Sequence, residues 1–278
     1  MKARTRVLSA CLCGMMAVML FTGCGGNEES GSTENASAGN EETKEKLIIG
    51  TSSVSVDLAE SGVEALEEMG YEVELKVFDD YFLPNEALVE GSIDANFYQH
   101  EPFLDTYNSE KGTDIQMLEP KLWNYWAGIY SVKTDSIDKL PEGGIVGIAE
   151  DASNINEDLL RLQEAGVIKL TDEEKDQYDV ADIVENPYNY EFIQADHIKY
   201  TNMDDYALVI GTSNTMASFD VDPTKNLLQS FVDDSLALGM CIMPENADTQ
   251  WAKDIMKAYT SDKAREYVKP ETGFDAVF

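Results

Sequence analysis

The chain has 278 residues, room for about two domains at the usual ~150 residues each, and carries 53 Asp+Glu against 20 Lys+Arg, a net charge of −33. A field of that sign repels phosphate backbones and excludes nucleic acid as a partner, while a hydrophobic share of 43% excludes wholesale disorder. With two His and four Cys, neither a His/Cys metal site nor any other cofactor site is expected. In chain order, the first segment holds Lys2, Arg4 and Arg6 and no acid, then an apolar run from Val7 to Thr22. That run falls short of the ~20 residues that span a bilayer as a helix and fits the core of a signal peptide, residues 1–23.

The run ends in Leu20-Phe21-Thr22-Gly23-Cys24. Small residues before a cysteine resemble a bacterial lipobox, with Phe21 where Leu is more usual; the plainer alternative is an ordinary signal peptide with a chance cysteine. The resemblance implies that Cys24 is acylated and becomes the mature N-terminus. Loss of the signal removes Lys2, Arg4, Arg6, Cys11 and Cys13, leaving 17 bases against 53 acids, a charge of −36. A diacylated Cys24 would hold so acidic a chain at the bilayer, where one acyl chain binds only marginally. Cys241 is then the lone thiol of the body, expected as a buried packing residue. Residues 24–45 are rich in Gly, Ser, Asn and Glu without an aromatic and read as a flexible tether.

From Leu47 the pattern becomes α/β. Leu47-Ile48-Ile49 is a short apolar strand before a small-residue turn, and Leu58, Val63, Leu66 and Met69 mark one helix stopped by Gly70. Val73, Leu75 and Val77 alternate as a strand; Asn85 to Glu90 reads as a short helix, Ile93 to Phe97 as a strand ending at Tyr98-Gln99-His100, and Ala127 to Val132 as another strand. A second α/β unit opens after Leu140-Pro141, with strand Ile145 to Ala149, loop Glu150 to Ser153 and a helix from Asn154 to Ala165 stopped by Gly166. Further strand material falls at Ile183 to Pro187, Glu191 to Gln194, Ala207 to Gly211 and Leu236 to Met243, and Thr249 to Tyr267 reads as one amphipathic helix. Alternating strands and helices predict a mainly parallel sheet covered on both faces.

Several stretches resemble the methionine-binding lipoproteins (the NlpA/MetQ family): Phe78-Asp79-Asp80-Tyr81, Pro84-Asn85, Gly91 to Pro102 with its core Asp94-Ala95-Asn96-Phe97-Tyr98-Gln99-His100, Glu164 to Leu170 and Ile183 to Pro187. The likeness spans Leu47 to Phe278. It implies a type II periplasmic-binding-protein fold, two α/β lobes joined by two hinge crossings. Lobe 1 would be 47–132 plus 237–278 and lobe 2 would be 137–232, with crossings near Val132 to Ile137 and Asp233 to Ala237. It further implies a solute-binding lipoprotein of an ABC importer on the extracytoplasmic face of the cell membrane. Such a protein closes on a small amino-acid-like ligand, methionine or a related solute, and delivers it to a permease. The crevice at the carboxyl ends of the strands is also where open α/β sheets bind ligands.

The resemblance places Phe97, Tyr98 and His100 in the pocket, with Tyr81 as a stacking surface. Phe97 is equally well explained as core, and Asn85 as a helix cap. Asn154 opens a helix, where free N–H groups favour anions. Three residues on, the family has an Arg that pairs with the ligand carboxylate; this chain has Glu157, which reverses the charge or merely serves the first helical turn. Arg161 stands one turn beyond it, able to reach the pocket or only to pair with Glu157. Asn214 matches a family Asn on the ligand's polar head, and a further family Asn falls at Gly239. Trp123, Tyr125 and Trp126 add aromatic mass that, with Glu157, would suit a cationic ligand.

No phosphate-binding, nucleophile-elbow or zinc-protease motif is present, and one His beside Glu101 is thin ground for acid–base chemistry. An enzyme is therefore not expected. The alternatives to methionine transport are the same scaffold retuned to another, cationic ligand, and a surface lipoprotein that binds a partner through an exposed apolar patch.

Overall fold

A computed structural model of the chain describes residues 44–195, 198–268 and 273–278. The signal segment, Cys24 and the tether up to residue 43 lie outside the described residues. The elements in chain order are β1 (Lys46–Ser52), α1 (Val56–Glu60), α2 (Val63–Glu68), β2 (Glu72–Phe78), α3 (Leu83–Val89), β3 (Ala95–His100), α4 (Glu101–Lys111), β4 (Gln116–Met117) and β5 (Trp123–Tyr130). There follow β6 (Ile145–Ile148), α5 (Ala152–Glu164), β7 (Lys169–Leu170), β8 (Ile183–Glu185), β9 (Glu191–Gln194), α6 (Ile198–Thr201), β10 (Leu208–Thr212), α7 (Ser213–Ser218) and β11 (Leu227–Val232). The chain closes with β12 (Leu238–Ile242), α8 (Gln250–Tyr259), α9 (Asp262–Tyr267) and β13 (Phe274–Ala276).

One sheet runs in the order β2-β1-β3-β12-β5-β10-β6-β9. β1 pairs parallel with β2 and β3, and β6 parallel with β9 and β10. The strands between these two parallel ends pair antiparallel: β12 with β3 and β5, and β5 with β10. The N-terminal end of β5 pairs with β12 and β13, and its C-terminal end with β10 and β11. The chain therefore leaves the first half of the sheet inside β5, upstream of the Val132 to Ile137 stretch expected from sequence. Residues 233–237 link β11 back to β12.

Each half is covered on both faces, as strand alternation requires. In the first half, Leu47, Ile49, Phe97, Met240 and Ile242 pack with helix residues Leu58, Leu66, Ile255 and Tyr259, while Cys241 on the opposite face packs with Leu88, Leu104 and Tyr107 of α3 and α4. In the second, Val146, Ile148 and Ile210 pack against Ile155, Leu159 and Leu162 of α5.

Two expected helices are each divided. The 249–267 stretch forms α8 and α9, because the Ser261 hydroxyl accepts the Ala264 N–H at 3.1 Å and starts a new helix. The helix expected through Leu58 to Met69 is α1 and α2, parted at Ser61-Gly62. A Cβ on Gly62 would stand 2.5 Å from the Tyr259 ring, so the bend is the place where that buried ring enters. Gly70 and Gly166 follow the helices before them with positive φ of 100° and 72°, the left-handed stop that glycine permits. Among the described residues no helix is long and apolar enough to cross a membrane.

Candidate functional site

A cavity of about 240 Å³ opens where the carboxyl ends of β3, β6 and β10 converge. Its first-half wall comes from Tyr98, Gln99 and His100 at the end of β3, Tyr81 ahead of α3, Phe103 of α4, Tyr125 of β5 and Leu238 of β12. The second-half wall comes from Asp151, Asn154, Asp158 and Arg161 around α5, Lys199 and Tyr200 of α6, Gly211 and Thr212 at the end of β10, and Asn214 of α7.

The first wall is built by a bulge. Leu238 lies opposite His100 and Met240 opposite Phe97, so Tyr98 and Gln99 of β3 together face Gly239 of β12, and the extra residue re-aims the strand end. Gln99 thereby comes to the side of Asn96, its Nε2 donating to Asn96 Oδ1 at 2.9 Å and to Asn85 Oδ1 at 2.7 Å. Asn85 Nδ2 returns a bond to Gln99 Oε1 at 2.9 Å. Asn85 is thus buried in an amide cluster behind the cavity and does not cap α3; Asp80 Oδ1 does, accepting from Phe82 N and Leu83 N at 2.7 and 2.9 Å.

Tyr81 and Tyr98 stack at 6.3 Å with their planes 8° apart, and Phe103 meets both edge-on. The Tyr98 hydroxyl donates to the Tyr81 carbonyl at 2.6 Å, which leaves the ring faces as the exposed chemistry of this wall. Phe97 belongs elsewhere: it is fully buried, packs edge-on against Tyr259 at 5.5 Å and sits in the core of the first half.

His100 joins the two walls. Its Nδ1 accepts the Phe103 N–H at 3.2 Å, so its Nε2 carries the proton and donates to Asn154 Oδ1 at 3.0 Å. Asn154 is held in the matching orientation because its Nδ2 donates to Asp151 Oδ2 at 2.8 Å. Burial pushes the His100 pKa down, the Asn154 bond only partly opposing it.

On α5, Glu157 is not part of the cavity lining. It turns to Arg161, whose Nη2 stands 3.6 Å from Glu157 Oε2 while Nη1 donates to Asp158 Oδ1 at 3.3 Å. Asp158 Oδ2 accepts the Ala149 N–H at 2.9 Å. Burial raises the pKa of both Glu157 and Asp158; Arg161 opposes the rise at each, and Lys199 opposes it most at Asp158. Asn214 is 6% exposed and its Oδ1 has no hydrogen-bond partner among the described residues.

Of the residues singled out from sequence, Tyr81, Tyr98, His100, Asn154 and Asn214 therefore meet in one cavity, and Phe97 and Glu157 stand outside it. Of the three aromatics of β5 singled out from sequence, Tyr125 lines the cavity, Trp123 packs on Phe278, and Trp126 packs against the cluster of Tyr130, Val209 and Met216. On β12 the cavity is lined by Leu238, and the space a side chain at Gly239 would take is filled by Met117. Lys199 and Tyr200 were not found from sequence, since neither lies in a motif or a periodic run. The gap left by Gly211 is filled by the Tyr200 ring. Among the described residues no group of three His, Cys, Asp or Glu is placed to hold a metal ion.

A family model for the NlpA lipoproteins matches residues 47–277. The chain belongs to the NlpA lipoprotein family. It is 31% identical over 269 residues to the D-methionine-binding lipoprotein MetQ of Escherichia coli O157:H7, covering 95% of this chain and 94% of that one. It is similar to a nutrient-binding protein from Burkholderia cenocepacia solved with methionine bound (TM-score 0.74, 29% identity, 84% of this chain and 100% of that one). It is also similar to a periplasmic substrate-binding protein of an ABC transporter from Coxiella burnetii (TM-score 0.74, 26% identity, 82% and 97%). This family member is a solute-binding lipoprotein, and its mixed α/β architecture is that of solved substrate-binding proteins.

Proposed function

We propose that the protein captures a small amino acid, methionine or a near relative, in the cavity between its halves and delivers it to an ABC permease. It would do so anchored in the membrane through acylated Cys24 and facing out of the cytoplasm, without enzymatic turnover of the solute. The observation that carries the ligand class is the pairing of surfaces in one cavity: the Tyr81–Tyr98–Phe103 wall for an apolar or thioether side chain, and across it the unpartnered Asn214 Oδ1, an acceptor for an ammonium group. The halves are taken as lobes hinged at β5 and at residues 233–237, closing on the ligand.

The test is the melting temperature of the mature protein, stripped of ligand by partial unfolding, against L- and D-methionine, other amino acids, short peptides and small cations. A ligand at 100 times its Kd adds about 2.7 kcal/mol, and methionine is expected to produce that shift. In Asn214→Ala, removal of an acceptor for a charged donor weakens methionine about 10-fold or more, while the ligand-free protein loses no hydrogen bond made by Oδ1 among the described residues. A shift confined to cations, or to none of the panel, would overturn the reading.

A further inference from the structure

Arg161 is 8% exposed and lines the cavity, yet it is poorly satisfied. A guanidinium carries five N–H donors. Among the described residues it makes one hydrogen bond, from Nη1 to Asp158 Oδ1 at 3.3 Å, and one looser contact, 3.6 Å from Nη2 to Glu157 Oε2. A planar fork of N–H groups beside a cavity is the shape that a carboxylate fills with two bonds. The two acids around it hold the fork without filling it. Asp158 is drawn toward the Ala149 N–H at 2.9 Å. Glu157 lies off the cavity, receives the Asn156 amide at 3.3 Å, and touches Arg161 only beyond hydrogen-bond length.

Resting on the amino-acid reading above, we infer that Arg161 receives the ligand's carboxylate while Asp158, its hydrogen-bonded partner, holds the guanidinium. The anion-binding group thus reaches the cavity from one helical turn beyond position 157, where sequence resemblance had placed it. The weak 3.6 Å contact is the one exchanged when a ligand carboxylate arrives, and Asn214 Oδ1 lies free for the ammonium.

The test uses the mature chain, stripped of ligand, with calorimetric titration of L-methionine and of methioninol, in which a neutral CH₂OH replaces the carboxylate. The wild type is expected to prefer methionine by about 30-fold, the size of a charge-assisted bond pair. Arg161→Met should erase that preference by weakening methionine alone, and Arg161→Lys should keep part of it. The double variant Asp158→Asn/Arg161→Met leaves no acid stranded beside the lost guanidinium and should behave as Arg161→Met, which separates lost recognition from lost folding. Preference for methionine undiminished in folded Arg161→Met would overturn the assignment while leaving the amino-acid reading intact. A wild type that binds no α-amino acid would overturn both.

Discussion

His100 shows how one side chain can serve the fold and the site at once. It caps α4 through Nδ1 and reaches Asn154 on the opposite wall through Nε2, so the neutral tautomer is the one both contacts require. Burial holds its folded pKa below the unfolded value of about 6.5. Below that value the unfolded chain takes up a proton that the folded chain resists, so the sign is fixed: stability rises with pH through this window and is lost as pH falls. Glu157 and Asp158 act in the opposite sense, because burial raises their folded pKa values and acidification then favours the folded state. A comparison therefore isolates the imidazole. On going from pH 7 to pH 5, the melting temperature of wild type should fall more, or rise less, than that of His100→Gln. Parallel profiles would show that His100 titrates alike in both states.

At the scale of elements, close approaches shape the helices and strand ends more than propensity does. The bulge in β3 turns Gln99 into the Asn85–Asn96 amide cluster, and that closed set of bonds fixes the strand end from which Tyr98 and His100 project. The α1–α2 break is fixed by Tyr259, whose hydroxyl donates to the Ala59 carbonyl and whose ring lies where a Gly62 side chain would be. Neither the ring, fully buried, nor the backbone can give way cheaply. Gly62→Ala is expected to cost about 1–3 kcal/mol as an overpacked core does. Urea unfolding measures it, and a cost below ~0.5 kcal/mol, the usual range of a surface change, would mean that the two helices slide apart freely.

For the whole molecule, the governing quantity is charge. The chain bears −33, and many of its ion pairs are exposed, such as Lys46 with Glu74 and Lys263 with Glu64 and Glu68, each worth little. Self-repulsion of the acidic surface should therefore outweigh the loss of surface pairs when salt is added. The melting temperature of the ligand-free protein is expected to rise between 10 mM and 500 mM NaCl. A fall would show that the surface pairs, not the net charge, dominate.

The linear chain by itself determined the class of this protein. Hydrophobic alternation and glycine stops mark the strands and most helices, and the run from Asp94 to Pro102 carries the family likeness that the comparisons uphold. Through the family resemblance it also brought Tyr81, Tyr98, His100, Asn154 and Asn214 forward as a set, at the strand ends where such sheets bind. Tertiary structure alone decided which of the neighbours share that set. Phe97 and Tyr98 are adjacent in sequence, but a strand sends them to opposite faces, one into the core and one to the cavity. Glu157 and Arg161 share a face of α5, yet only the longer, forked side chain reaches the cavity wall. Lys199 lies in no motif or periodic run, and Leu238 reads from sequence only as strand. They enter the site because α6 and β12, distant along the chain, are brought to the same opening by the pairing of the sheet, and pairing across such separations depends on the summed packing of both halves, which no window of sequence contains.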